Sequence, residues 1–383
     1  MPDDAISPST TGTRIDELES IRGIAALLVV LYHIPNWNIH LYGIGLIRNS
    51  YLMVNLFFVL SGFVIYKAYA NNIHGKSDLL RFQFLRLGRL YPVHFVFLMF
   101  FFLLEIAKYV AFTHYGIKSS KTTPFVENSM TAFVQQLLLL QAVGPTGNAL
   151  TFNAPAWSIS VEFYTYLLFA LIALHAGRMK TVVFALLALT SCAVIGVDAH
   201  NGYFDLLQCL AGFFIGCCTA YLSEQLTVKL PPAAVTLVVI LLALYLQCKT
   251  FEQYDLMIYL LTAALVLTIV LSDDGAVKRF LRLRVFRWLG MISYSIYMTH
   301  SALLWLTNQV QRFVFKRPEV WFGGRLVPQL TVMQTLVSYI VIFAVLLFVS
   351  NFVYHRLEKP MREMSRRVAF KLPPLPLPIR WIK

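Results

Sequence analysis

Ten blocks of apolar residues, each about 17–22 long, divide the sequence, and their length limits what the chain can become. At 1.5 Å per residue such a block matches the ~30 Å hydrocarbon layer of a bilayer as a helix. The blocks are 21–37, 51–70, 91–112, 156–175, 180–197, 204–222, 232–248, 255–271, 289–310 and 333–354. A soluble chain of 383 residues would hold two or three domains, with roughly half its residues apolar and a quarter charged. Here 58% are apolar and 13% charged, which excludes that class. The expected fold is all-α, a polytopic helical bundle of about ten transmembrane helices. A further apolar stretch near 131–143, TAFVQQLLLLQAV, is too short to span and is expected at the interface, re-entrant, or packed on the bundle.

The net charge of +13 would suit a nucleic-acid ligand if it formed a basic face. Instead the Lys and Arg gather in a few loops. With both termini on the cytoplasmic side, the inner segments hold about 23 of the 32 basic residues, and inverting the protein inverts the ratio. Nucleic acid is therefore not an expected partner; membrane lipid is. The densest inner runs are KRFLRLRVFRW (278–288) and YHRLEKPMREMSRR (354–367). The first twenty residues are polar and mildly acidic, unlike a signal peptide, so the first block is expected to stay as a helix. Three parts follow: a cytoplasmic segment 1–20, a membrane domain 21–354, and a basic, proline-rich tail 355–383 ending KLPPLPLPIRWIK. The cysteines, Cys192, Cys209, Cys217, Cys218 and Cys248, show no metal spacing and read as small hydrophobes. The long outer loop 113–155 exceeds what a connection needs.

Ionisable side chains at membrane depth are costly, so each is a functional candidate. Arg22 and His33 are eleven residues apart, three turns plus about 20°, and share a helix face ~16 Å apart. With Arg22 at the inner edge, His33 falls near the midplane, and Pro35 is expected to kink or end the helix. The same depth estimate puts His300, with Ser293 and Tyr297 on its face, near the midplane of the ninth block. Ser61 and Gly62 fall near mid-depth of the second, where a glycine admits a helix or ligand. Glu162 lies ~9 Å below the outer edge of the fourth. Glu105 and Lys108 are spaced to pair as structural partners. Arg86 and Arg89, in RFQFLRLGRLYP, share a face at the inner edge, and Pro92 suits the first turn of the following helix. With Arg22 they can form a phosphate-binding site, since guanidinium forks donate paired hydrogen bonds to phosphate. A phosphate-bearing donor docked there would extend a pantetheine arm toward a histidine ~16 Å deeper. That histidine can act as general base on an attacking hydroxyl, with Glu162 able to fix its tautomer.

At these residues the sequence resembles the membrane acyltransferase family 3, the polysaccharide O-acyltransferases. ELESIRGIAALLVVLYH is similar to the family's opening helix, and FFVLSGFVIY, RFQFLRLGRLYP, APAWSISVEFYTY, ISYSIYMTH and YHRLEKP resemble its later segments in order. The resemblance implies transfer of an acyl group, most often acetyl, from acyl-CoA on the cytoplasmic side to a hydroxyl of a glycan or lipid-linked saccharide. No permanently bound cofactor is expected; acetyl-CoA enters as donor substrate. His33 matches the catalytic histidine, Arg22 its motif partner, and Arg86 and Arg89 the donor-side pair. Glu162 and His300 match polar motif positions and are candidate catalytic residues with His33; Ser61, near mid-depth, is a candidate donor-binding residue. The family's aspartate–glycine pair is replaced by Glu19–Ser20, which retains the carboxylate. Many relatives carry an extracytoplasmic hydrolase-like domain that this chain is too short to hold, so direct transfer within the membrane cavity is the simplest expectation. The implied location is a bacterial inner membrane. A transporter with a His/Glu proton relay, and a non-catalytic acyl carrier of the same fold, are the competing readings.

Overall fold

The computed structural model describes residues 15–34, 43–116, 123–146, 148–250, 255–322 and 325–371. The acidic leader 1–14, Pro35 and the proline-rich run after 371 lie outside them. The helices are α1 Asp16–His33, α2 Gly45–Arg48, α3 Met53–Tyr69, α4 Lys76–Tyr115, α5 Met130–Leu137, α6 Ala156–His175, α7 Lys180–Gly196, α8 Phe204–Gln225, α9 Pro232–Cys248, α10 Met257–Leu271, α11 Ala276–Leu281, α12 Arg284–Met291, α13 Ser293–Gln309, α14 Val332–Val353 and α15 Lys359–Lys371. Six described helices are long and apolar enough to cross a membrane: Ser50–Tyr69, Lys76–Tyr115, Ala156–His175, Gly177–Gly196, Phe204–Gln225 and Val332–Ala369. α9 and α10 are shorter apolar helices. α1 carries Asp16, Glu17, Glu19 and Arg22, and α13 has only 17 residues. The fold is that of an all-α membrane protein. Its small exception is an antiparallel hairpin, β1 Glu319–Phe322 paired with β2 Arg325–Pro328, in the loop before α14.

Two boundaries differ from the sequence reading for physical reasons. Pro92 does not begin a helix; it lies inside the 40-residue α4. It withholds one N–H from the carbonyl of Gly88, a loss that a long helix tolerates. α4 ends at Gly116, whose φ of +64° suits a residue without Cβ. The ninth block is broken at Ile292 into the short α12 and α13. The 131–143 stretch forms only α5, which packs on α4 by stacking Phe133 on Phe102 at 4.3 Å.

Loop contacts sort the two ends of the bundle. At one end Lys180 donates to Ala70 O (2.6 Å) and Lys67 pairs with Glu224. Ser20 Oγ donates to Leu281 O, and Arg282 bridges Glu17 and Asp274 at the same end. That exposed Asp274 carboxyl is held below the usual range by its hydrogen bond from Arg282. At the other end Asn49 donates to Leu246 O and Lys249 O, and Ser160 Oγ donates to Leu139 O. Glu105 pairs with Lys108 as expected and also accepts from Phe125 N and Asn128 Nδ2, which ties the long loop to α4.

The tightest seam joins α3 to α8. A Cβ on Gly62 would stand 1.8 Å from Phe213 O, and one on Gly216 would stand 2.1 Å from Val59 O. The two backbones touch, as small residues allow where no water drives association. The glycine expected to admit a helix or a ligand admits a helix. Around it Phe82, Phe169, Phe184, Phe213 and Phe214 pack edge-on, tilted or stacked, with centroids 5.2–6.0 Å apart.

Candidate functional site

α1 and α13 bring the two histidines together. His33 is the last residue of α1, and its Nδ1 donates to Val29 O one turn back at 2.8 Å. A carbonyl can only accept, so the neutral ring carries its proton on Nδ1 and its lone pair on Nε2. His300 is buried at 1% exposure; its Nδ1 donates to Tyr297 O at 2.6 Å. The ring centroids are 4.9 Å apart. His300 Nε2 is buried without a hydrogen-bond partner among the described residues. His33 itself is exposed. Beside it the Tyr32 ring lies 5.6 Å from that of Tyr51, whose hydroxyl donates to Asp255 and accepts from Lys249 Nζ. Lys249 and Asp255 are ion-paired. The imidazole therefore stands at the end of its helix, level with the reversal between α9 and α10. The sequence reading set its depth from the ~16 Å rise above Arg22; in the structure the helix ends at this residue, just before Pro35.

Toward the arginines a second polar group forms. Tyr166 donates to Glu162 Oε1 at 2.5 Å and accepts from Ser61 Oγ at 2.7 Å. Glu162 and Tyr166 are one turn apart on α6, and Ser61 reaches them from α3. Arg86 donates to Tyr69 Oη (3.1 Å) and lies over the rings of Tyr69, Phe82 and Tyr166 at 5.2, 5.5 and 5.8 Å. Its Nε is buried without a partner among the described residues. Arg22 is within electrostatic reach of Arg89, Glu162, Tyr166 and Glu19. The arginines thus divide: Arg22 and Arg89 are charge neighbours, while Arg86 occupies an aromatic cage.

A cavity of about 50 Å³, room for a few waters, lies against Arg22 and Glu162, while Arg86 and Arg89 stand outside its lining. Its lining includes Arg22, Phe57, Ser158, Glu162, Tyr294 and Tyr297, with Ser293 alongside. Neither histidine lines it. Tyr297 makes the link: its hydroxyl lies 2.9 Å from Ser158 Oγ and its ring 5.8 Å from that of His300. Glu162 does not orient a histidine, as the sequence reading allowed. Tyr166 takes the carboxylate, and backbone carbonyls of α1 and α13 set both imidazole tautomers. The ring acceptors are one turn or less away in the same helix, so no distant carboxylate is needed.

Sequence reasoning passed over Glu358. It is 3% exposed, accepts from Ser295 Oγ at 2.7 Å, and lies within electrostatic reach of Arg89, Arg362 and Arg22. It sits inside YHRLEKP, at the start of a basic run at the inner edge. The signal was present: one carboxylate in a strongly basic run, on the approach to a helix.

The profile of acyltransferase family 3, described as an acyltransferase domain, matches residues 15–355. The chain belongs to this family. It is 24% identical over 92% of its length to a Bacillus subtilis (strain 168) protein provisionally named a peptidoglycan O-acetyltransferase, and spans 56% of that relative. It is 25% identical over 78% of its length, and 75% of the relative's, to a provisionally named membrane-bound transacylase of Komagataeibacter xylinus. To the acyltransferase MdmB of Streptomyces mycarofaciens it is 30% identical over 41% of its length, and 39% of the relative's. No solved structure matches at a significant level. Every residue of the candidate site up to Tyr354 falls within the matched span; Glu358 and Arg362 lie just past it.

Proposed function

We propose that the protein is an acyl-CoA-dependent O-acyltransferase of a bacterial cytoplasmic membrane, crossing it ten times with both termini inside. The donor, most often acetyl-CoA, docks from the cytoplasm on Arg22, Arg89 and Arg86; the acceptor is a hydroxyl of a surface glycan or a lipid-linked saccharide. The observation that carries this reading is the tautomer of His33. With Nδ1–H committed to Val29 O, Nε2 offers the lone pair that a general base requires.

The chemistry then follows. His33 Nε2 takes the proton of the acceptor hydroxyl as its oxygen attacks the thioester carbonyl. The carbon–sulfur bond breaks, the electron pair leaves on the coenzyme A sulfur, and the imidazolium proton goes to that thiolate. The products are an ester and free thiol. His300, 4.9 Å away and buried, holds the His33 ring in place without adding a charge. Glu162 offsets the positive charge of Arg22 and Arg89 between donor cycles. Ser61 acts by anchoring Tyr166 to that carboxylate. The cavity has room for only a few waters, too little for a pantetheine arm, so donor access parts α1 from α6 and α13.

The test is acyl transfer by purified protein in lipid nanodiscs with radiolabelled acetyl-CoA, following free thiol and labelled acceptor. The wild type releases thiol in step with acceptor labelling. His33→Ala loses both while remaining folded in the membrane. A His33→Ala protein with the wild-type rate would overturn the assignment. A wild type that dissipates a proton gradient and cleaves no thioester would favour the relay reading instead.

A further inference from the structure

α15, Lys359–Lys371, lies beyond the residues that the family profile matches, 15–355. In sequence it reads as a solvated basic tail. In the structure it folds back along the arginine-bearing half of α4. Ser365 is buried, and its Oγ sits where a Cβ of Gly88 would be, at 1.9 Å. Gly88 immediately precedes Arg89, so this contact fixes α15 beside the donor-side arginines.

One side chain of α15 turns toward them. Arg362 donates to Tyr354 Oη at 3.3 Å, with its guanidinium 5.9 Å from the centre of that ring. Its Nε is buried and has no hydrogen-bond partner among the described residues. It shares the electrostatic surroundings of Glu358 with Arg89 and Arg22, so three cations surround one carboxylate. A buried guanidinium N–H without an acceptor is costly, and a cationic excess in such a bowl calls for an anion. Arg366, one turn further on the same helix, is exposed to solvent.

We propose that Arg362 is a donor-binding residue that contacts a phosphate of the acyl-CoA, making α15 part of the site rather than an appendage. The proposal rests on the donor reading above. Coenzyme A carries three phosphoryl groups, and Arg362 lies one turn beyond Glu358 on the side away from the histidines. It therefore meets the nucleotide end of the donor while Arg22 and Arg89 meet the portion nearer the thioester. A phosphate oxygen would satisfy the vacant Nε–H and balance the cationic excess.

The experiment is calorimetric titration of coenzyme A into the purified full chain in nanodiscs, for the wild type, Arg362→Ala, Arg362→Lys and Arg366→Ala. Loss of one charge-assisted contact predicts at least about tenfold weaker binding for Arg362→Ala. Arg362→Lys, which keeps charge but lacks the fork, should fall between Arg362→Ala and the wild type. Arg366→Ala should match the wild type, which controls for lost charge on the same helix. Equal affinity in the wild type and Arg362→Ala overturns the proposal and leaves the donor reading standing. Equal losses in Arg362→Ala and Arg366→Ala also overturn it, because they report net charge rather than a contact. A wild type that binds no coenzyme A defeats the donor reading, and this proposal with it.

Discussion

Ser61 and Gly62 are neighbours on α3, and they look into two different interiors. Gly62 faces α8, where backbone meets backbone with no space for a single methyl group. Ser61 faces α6, where it hydrogen-bonds Tyr166 beside Glu162 and the cavity. One seam is dry, apolar and closed; the other is polar and holds space. A step of 100° around one helix separates the part of the molecule that holds shape from the part that handles charge. The contrast shows how a bundle tolerates buried ionisable groups: the polar seam is held open by a rigid one behind it.

The largest expected effect breaks the rigid seam. Gly62→Val places a branched side chain against Phe213 O and should cost at least ~3 kcal/mol, read as loss of folded protein in detergent thermal shift. A Gly62→Val chain that folds and melts like the wild type would show that the seam is not close-packed. Next comes His33→Ala, expected to lower turnover about 10³-fold with an unchanged melting temperature, since the ring is exposed. Arg86→Ala with Arg89→Ala should weaken donor binding about 100-fold, measured as coenzyme A affinity. Unchanged affinity would remove the anion site. Glu162→Gln should slow turnover about tenfold while the protein folds normally, because Tyr166 can still donate to the amide oxygen. Smallest is Tyr166→Phe, which removes the hydroxyl between Ser61 and Glu162. A loss of about 1 kcal/mol in stability and a few-fold loss in turnover are expected. A double-mutant cycle with Ser61→Ala would show whether the two side chains act as one unit.

The rigid seam and the polar seam were not equally legible in the sequence. Apolar length alone placed Ala156–His175 and Pro232–Cys248 with matching boundaries, because a span's ends are set by bilayer thickness and by breakers such as Pro232. Glu105 with Lys108 was legible because three-residue spacing forces adjacency on a helix. The meeting of His33 with His300 followed from comparable depths, but their distance did not, since depth says nothing about which helices are neighbours. Whether Glu162 reaches a histidine was open for the same reason: its partner, Tyr166, lies on its own helix, one turn away. Glu358 and Arg362 were hidden by charge counting, which treats every inner-edge ion as solvated and cannot see a helix folding back.

The forty residues of continuous helix in α4 extend ~60 Å, about twice the hydrocarbon thickness. Arg89 lies ~20 Å from its start, about a third of the way along, and Glu105, which anchors the long loop, lies ~24 Å further on. One unbroken strut therefore carries both the grip on the incoming reagent and the mooring of the opposite rim. A tilt of that strut moves both faces at once, so loading at one mouth is mechanically coupled to the shape of the other.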